Sequence, residues 1–185
     1  MNVYILKTGL KIEPFNEDIH LSAFGCSSIL KYLVDMIRSL GHKPVIIESD
    51  RDFESGAGVI LCDRVFVSKK LLKDFLKGID RNKINMLGVY RSVTSSYNLP
   101  LMDVEIKRVE DGKEGIFYSC FYHPDCHKLK GIKIEEVESV LKSQAIRHIT
   151  NTREITTDMR LPSIKERQYL MSFPITSSVA GHITH

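Results

Sequence analysis

Residues 27–48 read SSILKYLVDMIRSLGHKPVIIE and predict a helix followed at once by a strand. Between positions 29 and 40 the apolar residues recur at helical spacing, and charged residues take the opposite face. A serine at 27 or 28 can cap the start of this helix, and Gly41 can end it. The β-branched run 44–48 then predicts a strand.

Three further apolar runs predict strands, at residues 3–6, 58–62 and 84–89. With the strand at 44–48 they predict one mainly parallel sheet, because a helix between two strands forms a right-handed βαβ unit. Ser68 can cap a second, shorter helix. The sequence therefore predicts an α/β fold, a mainly parallel sheet flanked by helices.

After Pro100 the pattern changes to alternating apolar and charged residues, and Asp111-Gly112 is a tight-turn signal. Residues 102–122 therefore predict a β-hairpin added to the α/β core. An amphipathic helix is expected from Ile134. We expect a domain over 1–145 and a C-terminal α+β extension over 146–185, read as the start of a further domain of the same chain.

Composition narrows the class of protein. The chain has 185 residues, 43% of them apolar, and 26 Lys+Arg against 23 Asp+Glu give a net charge of +3. This composition is typical of a foldable globular chain, and so small a charge does not favour nucleic acid as a partner. No apolar run approaches the roughly 18 residues of a spanning helix, and no signal peptide is recognisable. We expect a cytoplasmic protein without a membrane partner.

Two segments carry candidate chemistry for phosphate binding. Asp63 follows a predicted buried strand, at the edge where open α/β sheets bind ligands, and its carboxylate can hold Mg²⁺ against phosphate oxygens. The alternative is that Asp63 starts a turn or pairs with Arg64. The loop Lys7-Thr8-Gly9-Leu10-Lys11 can face a phosphate with a glycine and two lysines, or be a solvated loop.

The cysteines give a weaker signal. Cys26 and Cys62 stand in apolar segments and are expected to be buried and unpaired. The run CFYHPDCH, residues 120–127, contains zinc-ligand types. Eight residues can hardly surround one ion, so we expect a strand end and a polar turn without zinc.

The helix at Ser28–Gly41 and the segment VILCDRVFVS at 59–68 resemble sugar-1-phosphate nucleotidyltransferases, a family related in shape to the GT-A glycosyltransferases. The resemblance covers about half of the chain. It implies attack of a sugar-1-phosphate on the α-phosphate of a nucleoside triphosphate. It also implies that the binding partners are a nucleotide and a sugar phosphate, with Mg²⁺ as the cofactor.

The resemblance also implies roles for individual residues. Asp63 would hold Mg²⁺ and act with Lys11 as a catalytic residue, while Lys7, Gly9 and Lys11 would bind the nucleotide. Alternation along the hairpin strand makes Asp103 the candidate for a second metal-binding carboxylate.

Two other functions stay open. Only Lys7, Gly9, Lys11 and Pro14 stand where the family has its glycine-rich loop. This favours, as the alternative, a non-catalytic nucleotide- or sugar-nucleotide-binding scaffold or regulatory module of a larger protein. An α/β domain unrelated to nucleotides is the third reading.

Overall fold

The computed structural model describes residues 1–12, 16–21, 23–24, 27–90, 105–109, 113–153 and 180–182. The helices are α1 (Ile29–Ser39), α2 (Lys69–Gly78) and α3 (Ile134–Gln144). The strands are β1 (Asn2–Leu6), β2 (Lys11–Ile12), β3 (Glu17–Asp18), β4 (Ala23–Phe24), β5 (Ser27–Ser28), β6 (Lys43–Ile47), β7 (Gly58–Cys62), β8 (Val65–Val67), β9 (Asn85–Tyr90), β10 (Glu105–Arg108), β11 (Glu114–His123), β12 (Ile146–Arg153) and β13 (Ala180–His182).

Seven of these strands form the main sheet, in the order β12-β9-β11-β7-β1-β6, with β10 also paired to β11. β1 is parallel to β6 and β7, and β12 is parallel to β9. β11 is antiparallel to β7, β9 and β10. It follows that six strands run in one direction and β11 alone is reversed. The predicted α/β fold with a mainly parallel sheet is confirmed, and the sheet is mixed through this one strand.

The helix caps explain where the two best-predicted helices begin. The hydroxyl of Ser28 accepts a hydrogen bond from the backbone N–H of Lys31, and that of Ser68 accepts one from Leu71. At the end of α1, Gly41 has a φ of 77° and donates its N–H to the carbonyl of Arg38. This left-handed conformation suits glycine and turns the chain directly into β6.

The hairpin predicted at 102–122 is present as β10 and β11, paired from Glu105↔Phe117 to Arg108↔Glu114. Its turn residues Asp111 and Gly112 lie outside the described residues. Residues Ile146–Arg153, assigned by the sequence prediction to a C-terminal extension, form strand β12 of the main sheet beside β9. Further along, Ala180–His182 pairs with β8.

The hydrophobic core lies on both sides of the central strands. Every residue of β7 is buried, as its continuous apolar run predicts. Leu33 and Ile37 of α1 and Leu72 and Phe75 of α2 are fully buried in the same core. Within the described ranges, the helices are too short or too polar to cross a bilayer.

Candidate active site at the carboxyl edge of the sheet

Asp63 occupies the first position after β7, at the edge where β1 and β6 also end. Its backbone N–H donates to the carbonyl of Leu6 across 3.0 Å, which fixes the residue beside the end of β1. Its side chain is 0% exposed. Asp63 therefore follows a buried strand, as the sequence predicts, and it also starts the turn between β7 and β8, as the alternative interpretation has it.

The carboxylate of Asp63 contacts two residues that come from different parts of the chain. Thr8 donates its hydroxyl to Oδ1 across 2.7 Å and its backbone N–H to Oδ2 across 3.2 Å. Nδ1 of His20 lies 3.5 Å from Oδ2 and has no hydrogen-bond partner. Burial raises the pKa of Asp63, and the hydrogen bonds from Thr8 act in the opposite direction.

A cleft of about 370 Å³ opens beside the loop that follows β1, and Asp63 itself does not line it. Thr8, Gly9 and His20 line one side of it, and Ile134 at the start of α3 lines another. Gly9 has a φ of 67°, a left-handed conformation that favours glycine and turns the loop beside the cleft. Gly9 therefore lies at the cleft, whereas Asp63 lies behind Thr8 and His20, the two cleft residues that contact its carboxylate.

The charged residues of this cleft are mostly acidic. Asp18, Glu48 and Glu135 line it together with Lys7. The ammonium group of Lys7 lies 2.7 Å from Glu48, so this lysine already has a carboxylate partner. Asp18 is a candidate that the sequence reasoning missed, because only the short β2–β3 pairing places it beside the cleft.

The structure does not place the other predicted residues at the cleft. Lys11 is exposed on β2, opposite Asp18 in the register, and does not line the cleft. Asp103 lies outside the described residues. Among the described residues, no group of three or more His, Cys, Asp or Glu side chains is arranged to hold a metal ion.

Arg64 does not pair with its neighbour Asp63. Its guanidinium lies 2.7 Å from Glu138 of α3, which also accepts hydrogen bonds from Ser119 and Lys142. Burial raises the pKa of Glu138, but the bonds from Lys142 and Ser119 and the charge of Arg64 outweigh it and bring the pKa to about 2. This ion-pair cluster ties α3 to the sheet, and no sequence spacing indicates it.

The cysteines are unpaired where the structure describes them. Cys62, Cys120 and Cys126 are buried and free, as predicted for Cys62. Cys26 lies outside the described residues.

No known protein-family model matches the sequence, and no curated protein is significantly similar to it. Solved structures of similar fold include the following three. An inositol-1-phosphate CTP transferase from T. maritima is 11% identical, with 81% of this chain and 84% of that one covered and a TM-score of 0.48. A CMP:2-keto-3-deoxy-manno-octonic acid synthetase complexed with CTP is 10% identical, with 92% and 97% covered and a TM-score of 0.49.

The third is a Bacillus anthracis protein, named as a glucose-1-phosphate thymidylyltransferase and complexed with sucrose. It is 7% identical, with 82% of this chain and 86% of that one covered and a TM-score of 0.43. At such identities, what this chain binds has to be inferred from its own side chains.

Proposed function

We propose that the carboxyl edge of the sheet binds a nucleoside triphosphate with Mg²⁺, and that the chain transfers the nucleotidyl group to a sugar-1-phosphate. The observation that carries this proposal is the double hydrogen bond from Thr8 to Asp63. It fixes the loop Lys7–Gly9 to the end of a buried strand, at the edge where open α/β sheets bind ligands.

The charge of the cleft indicates that phosphate would enter together with a cation. Asp18, Glu48 and Glu135 outnumber Lys7 there, and like charges at short range repel strongly where water is partly excluded. Mg²⁺ takes carboxylate, phosphate and water oxygens as ligands. A magnesium complex of the triphosphate therefore suits this cleft better than the free anion.

Asp18, and Asp63 once the His20 ring has moved aside, would supply oxygen ligands of the kind that Mg²⁺ prefers, with Asp103 as the predicted further carboxylate. His20 covers Asp63 from the cleft side without a hydrogen bond from its Nδ1, so moving this ring aside breaks no bond at that atom. When bound, Mg²⁺ would neutralise charge on the phosphate oxygens.

In the proposed reaction an oxygen of the sugar-1-phosphate attacks the α-phosphorus. The bond from that phosphorus to the bridging oxygen breaks, and pyrophosphate leaves with the electron pair. Such transfer depends on alignment and on neutralising charge. Gly9 lets the backbone approach the phosphates, Lys7 exchanges its partner Glu48 for a phosphate oxygen, and Lys11 adds charge from β2.

A specific observation favours the second candidate, a non-catalytic nucleotide- or sugar-nucleotide-binding module. The carboxylate of Asp63 is fully buried behind Thr8 and His20, and Lys7 is already paired with Glu48. If the chain is such a module, it binds the nucleotide but does not transfer a nucleotidyl group. Release of pyrophosphate from a nucleoside triphosphate and a sugar-1-phosphate separates the two candidates.

Calorimetry of nucleoside triphosphates, with Mg²⁺ and with EDTA, tests the binding. Asp63→Ala should weaken the Mg²⁺-dependent affinity by about tenfold or more, because a lost ligand leaves phosphate charge uncompensated. If the alanine variant does not fold, Asp63→Asn replaces it. The matched control is Asp35→Ala, which removes an exposed acid of α1. Affinity that survives both Asp63 variants rejects the metal role, and no binding at millimolar nucleotide rejects the proposal.

A further inference from the structure

A second cavity, of about 740 Å³, opens at the opposite, amino-terminal edge of the sheet. Met1, His42 and Ala57, which immediately precede β1, β6 and β7, line it. Helix α2 and the residues that follow it form the other wall. Its volume lies within the range of small-molecule sites, roughly 300–1,000 Å³.

The charged side chains that line this cavity are all basic. They are Lys69, Lys73, Lys77 and Arg81, with His42 beside them, and no Asp or Glu is among its described lining residues. Lys69 donates to the backbone carbonyl of Ser39 across 2.9 Å. Neither Lys73 nor Lys77 has an ion pair or a hydrogen bond from its ammonium group within the described part of the chain.

The spacing of the lysines concentrates this charge. Lys69, Lys73 and Lys77 stand four residues apart on α2, so at about 1.5 Å per residue they form a line about 12 Å long. Like charges at this spacing destabilise a helix. Asp74, the one acid of α2, pairs with Lys70, and it lines a neighbouring cleft together with Lys77 without forming an ion pair to that lysine. A bound anion would remove the repulsion that the helix itself leaves uncompensated.

The cavity also has apolar walls. Leu40, Leu76 and Ile79 contribute to its lining, and so does Tyr122. The hydroxyl of Tyr122 donates to the backbone carbonyl of Arg81 across 3.3 Å, which holds this ring in place. An organic group can therefore be buried beside the row of lysines.

We propose that this cavity is a second anion site, which takes a small organic molecule carrying two or more phosphate groups. Unlike the acidic cleft at Asp63, it has basic charge already in place and needs no metal ion to accept phosphate. The inference is independent of the function proposed above, because the two sites lie at opposite ends of β7.

The test is calorimetry on the full chain in EDTA, which suppresses Mg²⁺-dependent binding, with inorganic tripolyphosphate and ATP as probes. Both should bind, ATP more tightly because its organic part reaches the apolar walls, and added salt should weaken both. Lys73→Gln with Lys77→Gln should weaken binding by about tenfold or more. Lys31→Gln with Lys128→Gln removes the same charge from exposed positions elsewhere and should change affinity less than about twofold.

The proposal is overturned if neither probe binds at millimolar concentration, or if the two lysine pairs weaken binding equally. It is also overturned if Asp63→Ala abolishes binding in EDTA, which would place the anion at the carboxyl edge. A single-stranded oligonucleotide that binds much more tightly than ATP would replace the small-molecule site with a nucleic-acid surface. Binding in EDTA that is intact in Asp63→Ala supports it, even where the Mg²⁺-dependent function fails.

Discussion

The hydroxyl of Thr8 lies 2.7 Å from Oδ1 of Asp63, 55 residues further along the chain, and donates to it at a position where that carboxylate is closed to solvent. The contact joins the loop after β1 to the turn after β7. A buried carboxylate needs such donors, since an unpaired charge in the interior is costly. The same bonds fix the loop that we propose as the phosphate site.

Replacing Thr8 by valine removes the hydroxyl donor and keeps the shape of the side chain. We expect the free energy of unfolding to fall by about 1–3 kcal/mol, because Asp63 then keeps only the backbone donor from this residue. Thr8→Ser retains the hydroxyl, so its free energy of unfolding should fall clearly less than that of the valine variant. Urea denaturation at pH 7 measures both, and equal losses for the two variants would contradict the role of the hydroxyl.

The pKa of Asp63 sets a pH dependence of stability. Burial raises this pKa above its ordinary 3.8, so the folded state holds the proton more tightly than the unfolded state. The resulting stability is present below pH 3.8 and is lost as the pH rises through the folded pKa. The unfolding free energy of the wild type, taken relative to Asp63→Asn, should therefore decrease from pH 3.8 upward. A difference that increases over this range would contradict the shift.

Glu138 has the opposite dependence. Its pKa of about 2, below the ordinary 4.5, means that its contribution is present above pH 4.5 and is lost as the pH falls toward 2. Glu138→Gln should lower the unfolding free energy at pH 7 by about 3 kcal/mol, since the buried Arg64 loses its ion pair with Glu138. Glu136→Gln, an exposed acid on the same helix, should change it by less than about 0.5 kcal/mol. Equal effects would refute the cluster's role.

The thiols should be unreactive in the folded chain. Burial raises the pKa of Cys62 and Cys120 well above the ordinary value and that of Cys126 to about 12, while the thiolate is the reactive and metal-binding form. Of the four cysteines, at most Cys26 should react rapidly with a thiol reagent at pH 8, and all four should react after unfolding. Two or more fast thiols, or stoichiometric zinc on metal analysis, would contradict this expectation.

Local patterns predicted the elements that bury an apolar run. The strand expected at 44–48 is Lys43–Ile47, and the helix expected at 28–40 is Ile29–Ser39. Strand β12, with the polar sequence IRHITNTR, lacks such a run and is recognisable only from its parallel pairing with β9. A pattern of apolar residues along the chain predicts an element that is itself buried. A polar strand at the edge of a sheet has no such pattern and is recognised only by its pairing with the next strand.

The same distinction applies to the site. The position of Asp63 followed from the end of a buried strand, and Gly9 followed from a loop after another. His20 comes from a short 3-10 turn whose sequence has no periodicity, and only the tertiary fold brings it to Asp63. The sequence offered Arg64 as a partner of Asp63, but Arg64 pairs with Glu138, which lies 74 residues further along the chain on α3.

Paramagnetic NMR with Mn²⁺ in place of Mg²⁺ can locate the bound nucleotide on this protein. With a nucleoside triphosphate bound, Mn²⁺ should broaden the backbone amide signals of Thr8, Gly9 and Asp63 most strongly. The amide signals of Lys73 and Arg81 should be affected far less, because these residues lie at the other edge of the sheet. The five residues of strand β7 separate the two edges. Broadening centred on Lys73 and Arg81, or equal broadening with and without nucleotide, would contradict a nucleotide site at the carboxyl edge.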